Sequence, residues 1–287
     1  MTAFLEAQTQ RLRPHSVDAY RYSLLLFERI MKPQELRKVE RRTIDEFVGK
    51  RLRKVGAVTV NKDLRQIRAF LNWCRRQHYL AASPDFKGLF LVVDQADPTW
   101  IGDDDVKAVV TALADESLQL SRRSREWWGV FIRTALFTGM RRSELLGLRW
   151  SEVDFKGGVL KVIRYTSKGR RDRLYESARS LTDLLKEWHG IHQEPPRPTD
   201  FVLPFEKNPR GLYVDWDAIL KHAGIPPERR FTPHDCRSTC VSELLAAGVA
   251  LTTVRDWVGH SSVIVTERHY AATRSDRRRV AEERKVV

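Results

Sequence analysis

The stretch VDFKGGVLKVIRYTSKGRRDRLYES, residues 153–177, carries the chain's main β signal. Three runs, VDF (153–155), VLKVIRYT (159–166) and RLYES (173–177), are separated by a Lys-Gly-Gly turn and a Ser-Lys-Gly-Arg-Arg turn. A parallel return needs a crossover of a dozen residues or more, so connections this short predict an antiparallel, three-stranded meander. The apolar spacing on either side is helical. The fold class that follows is mainly α in two domains, the second a mixed α/β domain of helices with a small three-stranded antiparallel sheet.

Working outward, a helix is expected over about 126–138, ending at Thr138-Gly139, with a further short helix over 141–149. Asp103 or Asp104 starts a helix over Val106, Val109, Val110 and Leu113. After the meander, helix resumes at about 179–190, the Pro-rich EPPRPTD (194–200) is a loop, and the remainder is mostly helical. Residues 1–92 read as helix throughout. Ser16 caps a helix with Tyr20, Leu24, Phe27 and Met31 on one face. Thr43 and Glu46 form a capping-box pattern for a second helix running through Phe47. A third helix puts Val60, Leu64, Ile67, Leu71 and Cys74 on one face and Lys62, Arg65, Arg68, Arg75 and Arg76 on the other. Asp97-Pro98 breaks the pattern within VVDQADPTW (92–100). The expected layout is a helical domain over 1–92, a linker over 93–100, and a second domain with a C-terminal tail helix over 101–287.

At 287 residues the chain is long enough for two cores. Its 51 Lys and Arg against 37 Asp and Glu give a net charge of +14, which points to a polyanionic partner, a nucleic acid before a membrane. Residues 1–95 hold 19 basic and 10 acidic side chains, so about +9 of that charge lies in this third of the chain. A basic helix face is often simply solvated, but here few acids intersperse it, which favours phosphate contact. No signal peptide, lipidation signal or apolar run of about 20 residues is present, so a cytoplasmic, nucleoid-associated protein with no membrane partner is expected. Cys74, Cys236 and Cys240 lack metal-ligand spacing and read as small buried side chains or free thiols.

Four local patterns carry chemistry. In TGMRRSELLGLRW (138–150), Arg141 and Glu144 share a helix face. In YTSKGRRDRL (165–174), Lys168 sits at a hairpin turn beside Gly169. In FTPHDCRSTC (231–240), Thr232 is the expected N-cap and Pro233 the first helical position, with His234 and Arg237 on one face of the first turn, where a helix N-terminus favours a phosphate. In DWVGHSSVIVTERHYAAT (256–273), Gly259 reads as a helix C-cap with His260 just past it and Tyr270 ten residues on. Each pattern alone fits a bland role: a surface ion pair, a polar hairpin tip, an ordinary capped helix, a half-buried tyrosine.

Together, in this order, they resemble the catalytic domain of the tyrosine recombinase (phage integrase) family over about residues 98–275, and the preceding helices resemble that family's core-DNA-binding domain. The resemblance places the family's two arginines on Arg141 and Arg237, its hairpin lysine on Lys168, its histidines on His234 and His260, and its nucleophile on Tyr270. Tyr270 falls ten residues after His260, whereas in many relatives the tyrosine falls nine after the last histidine. That spacing brings His269 into competition, although an imidazole could not form a phosphotyrosine. The implied reaction is transesterification at a DNA phosphodiester through a 3′-phosphotyrosyl intermediate, with no cofactor and no metal. In it Arg141 and Arg237 hold the non-bridging oxygens, His234 is general base or proton relay, Lys168 is general acid, and His260 donates a further hydrogen bond. Glu144 is cast as the group that orients Arg141.

The resemblance also implies double-stranded DNA attachment or core sites as substrate, a tail (271–287) that packs on a neighbouring subunit, a homotetramer on DNA, and room for accessory DNA-bending proteins. Integration or excision of a phage or other mobile element is the expected role, with no arm-site domain expected ahead of the helical region. The alternatives are a chromosome-dimer-resolving recombinase, a type IB topoisomerase, and a non-catalytic DNA-binding regulator.

Overall fold

A computed structural model of the chain describes residues 1–94, 99–163, 172–176, 179–205, 209–260, 262, 266 and 267. The chain divides into two compact units, Met1–Ala96 and Asp97–Val287.

The first unit is helical: α1 (Thr2–Thr9), α2 (Pro14–Met31), α3 (Arg41–Leu52) and α4 (Ala57–Arg76). Val60, Leu64, Ile67, Leu71 and Cys74 form the buried face of α4, as its spacing predicts, and Lys62, Arg65, Arg68, Arg75 and Arg76 are all exposed. Phe4 of α1 closes the core, meeting Tyr20, Phe70 and Trp73 edge-on at 5.2–5.5 Å between ring centres. A buried polar knot ties three helices: Asp63 of α4 accepts from Ser23 of α2 at 2.7 Å and from Arg51 of α3 at 2.9 Å. Burying that carboxylate is tolerable because each of its oxygens has a donor.

Two expected caps fall elsewhere. α2 starts at Pro14 with extended Arg13 as N-cap, so Ser16 lies inside the helix. Proline has its φ preset for the first helical position and no N–H to leave orphaned there. α3 is capped by Glu40, with Thr43 as the returning partner of the box rather than its origin.

The second unit sets helices around α6 (Arg125–Thr138), which packs against α5 (Asp103–Ala114), α8 (Arg179–Gly190) and α10 (Asp235–Ala246). Trp128 and Phe131 are its fully buried centre. The sheet runs β1 (Val153–Asp154), β2 (Val159–Val162) and β3 (Arg173–Glu176), antiparallel in sequence order. Register pairs Leu160 with Tyr175 and Val162 with Arg173. The period-2 pleat turns Leu160, Val162 and Tyr175 into the core and leaves Lys161 and Leu174 outside. The expected helix over 141–149 is a single turn, α7 (Arg142–Leu145), because residues 148–151 instead bond to the end of the Pro-rich loop and the segment just after it: Val202 donates to Leu148, Trp150 to Asp200 and Ser151 to Pro198. α9 (Pro209–His222) and α11 (Leu251–Val258) complete the described elements.

The described cysteines are free and buried, and burial pushes the Cys236 and Cys240 thiols up to about 12. Among the described residues no helix is long and apolar enough to cross a membrane.

Candidate active site

Three helix ends build the site. α6 stops at Gly139, whose φ of +60° is left-handed backbone that glycine adopts without strain. The turn leads through Met140 to Arg141, the N-cap of α7. α11 stops likewise at Gly259, φ +69°, and hands the chain to His260. α10 begins at Asp235, and its entry is braced by Thr232, whose N–H and hydroxyl donate to the Asp235 carboxylate at 2.6 and 2.9 Å. The Asp235 N–H donates back to the Thr232 carbonyl at 2.9 Å, and His234 rather than Thr232 takes the N-cap position because Pro233 and His234 form a preceding turn.

The side chains then close on one another. Arg141 donates from Nη1 to Glu144 Oε1 at 3.0 Å and from Nη2 to the Gly259 carbonyl at 2.7 Å. Its backbone N–H donates to Glu144 Oε2, also at 3.0 Å. Arg237 is buried and donates from Nη1 to the Gly139 carbonyl at 2.5 Å, while its Nη2 has no partner among the described residues. His260 shares a hydrogen bond between Nδ1 and the Thr266 hydroxyl at 2.9 Å. Arg141, Arg237, His234 and the Gly259-His260 turn therefore meet in one place, although 118 residues separate Arg141 from Gly259. Lys168 and Tyr270 lie outside the described residues, as do His269 and the tail.

Charge crowding sets the electrostatics. Burial, and then repulsion from Arg141, lowers Arg237 to about 10, so it remains a cation at neutral pH. Burial and the charges of Arg237, Arg141 and Arg142 lower the His234 imidazole below its ordinary value, against the opposing pull of Asp235. Burial works to raise the Glu144 carboxyl, but the Arg173 charge, the Arg141 backbone N–H and the Arg141 charge outweigh it and hold the group below the usual carboxylate range. The result is an anionic strut beneath two cations and a neutral imidazole. A buried guanidinium nitrogen with no acceptor, next to a second guanidinium, suits an anionic oxygen, because charge-assisted hydrogen bonds there meet little competition from water. Among the described residues no three His, Cys, Asp or Glu side chains gather as a metal-ligand set.

One member of the cluster escapes the motif reading. Arg173 of β3 reaches Glu144 Oε2 from Nη2 at 2.5 Å and the Val258 carbonyl from Nη1. The signal for it lies in strand alternation: Arg173 is two residues from Tyr175, so it shares that residue's inward face and needs a buried acid.

Residues 99–277 match the Phage integrase family, and residues 2–78 match the Phage integrase, N-terminal SAM-like domain. Tyrosine recombinase XerC of Thermodesulfovibrio yellowstonii is 25% identical over 264 residues, covering 88% of this chain and 84% of that protein. Among solved structures, the XerH site-specific recombinase bound to palindromic difH substrate superposes with a TM-score of 0.72 at 18% identity, over 93% of this chain and 79% of that one. A lambda integrase dimer bound to a COC′ core site gives 0.74 at 14% identity, over 93% of both chains. At such identities the structural likeness speaks for the fold.

Proposed function

This chain belongs to the Phage integrase family, the tyrosine-type site-specific DNA recombinases, and on that premise we propose that Tyr270 is its nucleophile and Arg141, Lys168, His234, Arg237 and His260 its catalytic set. One observation supports the reading above the others: the Arg141 guanidinium donates to the carbonyl of Gly259, the residue before His260, across 118 positions of sequence.

In the cleavage step the Tyr270 hydroxyl oxygen forms a bond to the scissile phosphorus as the bond to the 5′-oxygen breaks. His234 takes the phenolic proton, and Lys168 delivers a proton to the departing 5′-oxygen. A free phenol near pKa ~10 ionises poorly at neutral pH, so an imidazole whose pKa is lowered by burial and by its cationic neighbours is available as acceptor. Arg141 and Arg237 hold the non-bridging oxygens as charge accumulates on them, each such donor being worth roughly 10²–10³ in rate. The phosphotyrosyl ester conserves the energy of the cleaved bond, and a 5′-hydroxyl from a partner strand reverses the step to complete exchange.

The exposed arginines of α4 support phosphate contact by a helical DNA-binding domain proposed as residues 1–92, with 93–100 as linker and 101–287 as the catalytic domain. Exchange between two duplexes calls for a homotetramer on DNA, its subunits linked by the tail, in the cytoplasm. The role proposed is integration or excision of a mobile element. Chromosome-dimer resolution is the second reading, supported by the similarity to tyrosine recombinase XerC; repeats flanking the gene that serve as recombination sites would separate the two.

A nicked suicide duplex tests the chemistry. The wild-type chain should become trapped in an SDS-resistant covalent complex and Tyr270→Phe should not. An unchanged adduct in the variant removes Tyr270 as nucleophile.

A further inference from the structure

Arg173 touches two pieces of the site that come from distant parts of the chain, Glu144 and the end of α11. Its Nη2 lies 2.5 Å from Glu144 Oε2, and the other oxygen of that carboxylate holds Arg141. Its Nη1 donates to the carbonyl of Val258, the last residue of α11 before Gly259-His260. Packing around it is tight: a Cβ built on Gly259 would overlap the Arg173 guanidinium. Beneath, the Tyr175 ring centre is 5.6 Å from the guanidinium carbon, and Trp257 of α11 meets that ring edge-on at 5.1 Å. Arg173 also opens β3 opposite Val162, at the end of the β2–β3 pairing nearest Lys168 in sequence.

We propose that Arg173 is a positioning residue for DNA cleavage, one guanidinium that fixes the Glu144–Arg141 pair and the Gly259-His260 turn relative to one another. The proposal rests on the preceding assignment of the catalytic set. A guanidinium presents its donors in a rigid planar fork, so binding a carboxylate on one nitrogen and a carbonyl on another fixes the angle between the two segments. A lysine ammonium supplies the charge without that plane. Glu144 is faced by Arg173 and Tyr175 from β3, by Arg141 at the start of α7, and by Arg237 from α10. Without Arg173 this buried carboxylate keeps Arg141 as its only direct hydrogen-bonding cation among the described residues. It then competes for that arginine and takes up a proton at higher pH.

The experiment uses the full chain and a nicked duplex recovered from a randomised-core pool by covalent capture on the wild-type protein. Arg173→Met should slow adduct formation about 100-fold, the scale expected when reacting groups are misplaced by about an ångström, while the Kd for the same duplex stays within about twofold. The acid limb of its pH–rate profile should move to higher pH. Arg173→Lys should return that limb towards its wild-type position yet leave the rate about 10-fold low, because charge is restored without the fork. Combined with Glu144→Gln, Arg173→Met should add less than about threefold, since residues acting through one contact are not additive. Wild-type cleavage by either Arg173 variant overturns the proposal, and so does full multiplication of the Arg173 and Glu144 effects. Should Arg173→Met not fold, the rate and pH profile of Arg173→Lys decide. A wild-type chain that captures no duplex overturns the Tyr270 assignment first, a result distinct from capture by both wild type and variants.

Discussion

Arg237 holds the carbonyl of Gly139 at 2.5 Å, so a side chain at the start of α10 fixes the turn that delivers Arg141. Its second terminal nitrogen is left buried and unpartnered among the described residues. The two nitrogens therefore divide into a structural donor and one free for an anionic oxygen. Arg237→Lys offers one nitrogen for both tasks and should slow covalent adduct formation by roughly 10²–10³-fold. A quench-flow comparison with wild type measures this, and a slowing of less than about threefold would separate Arg237 from the reacting phosphate.

Gly139 should not tolerate a side chain. A Cβ there would stand 2.8 Å from Val258 Cγ1 and 3.2 Å from Cys240 Sγ, on backbone at φ +60°. Left-handed strain and overpacking together give Gly139→Ala a destabilisation of roughly 2–4 kcal/mol. Urea unfolding followed by tryptophan fluorescence tests it, Trp128 and Trp216 lying in the second unit's core.

The His234 imidazole is lowered from 6.5 by burial and by its arginine neighbours. Below pH 6.5 the folded chain then binds fewer protons at this position than the unfolded chain. Its stability contribution is complete above 6.5 and is lost as pH falls through the folded pKa. A base of this kind stays competent in mildly acidic buffer. Cleavage by the wild type should hold its rate through pH 6.5 and decline only below it. His234→Gln should be slower by about 10²-fold or more and lack that limb. An inflection at or above 6.5 in the wild-type profile would count against His234 as the base.

The exposed face of α4 makes an ionic-strength prediction. Arg65→Ala together with Arg68→Ala should weaken DNA binding irrespective of sequence. It should also reduce the slope of log K against log salt by about 2, one for each phosphate that the variant no longer neutralises. Fluorescence anisotropy on a random duplex between low and moderate salt measures both; an unchanged slope means that the face is merely solvated.

Regular elements with one wet face were legible in the sequence. The apolar stripe of α4 and the alternation in β2 emerged because half of each faces solvent. α10 was harder, for it is buried nearly all round, with Cys236, Arg237, Thr239, Cys240, Val241 and Ser242 all inside, and so shows little periodicity. Partner-dependent burial was not legible. Asn61 and Asp63 lie on α4 among polar residues, yet both are buried, because the Leu91 backbone pairs with one and Ser23 and Arg51 with the other. In the site, Arg141 and Arg237 announced themselves through local motifs. Arg173 did not, since its meaning depends on a strand register and on an acid 29 residues away.

Cys240, lodged under the Gly139 turn, has a further use. With its thiol at about 12 and its sulfur shut away from solvent, almost none of it is thiolate at neutral pH while the fold stays closed. Alkylating reagents can reach it only during excursions that lift α10 from α6. Its labelling rate is thus an internal clock for the breathing of the catalytic floor, readable by mass spectrometry without any substitution.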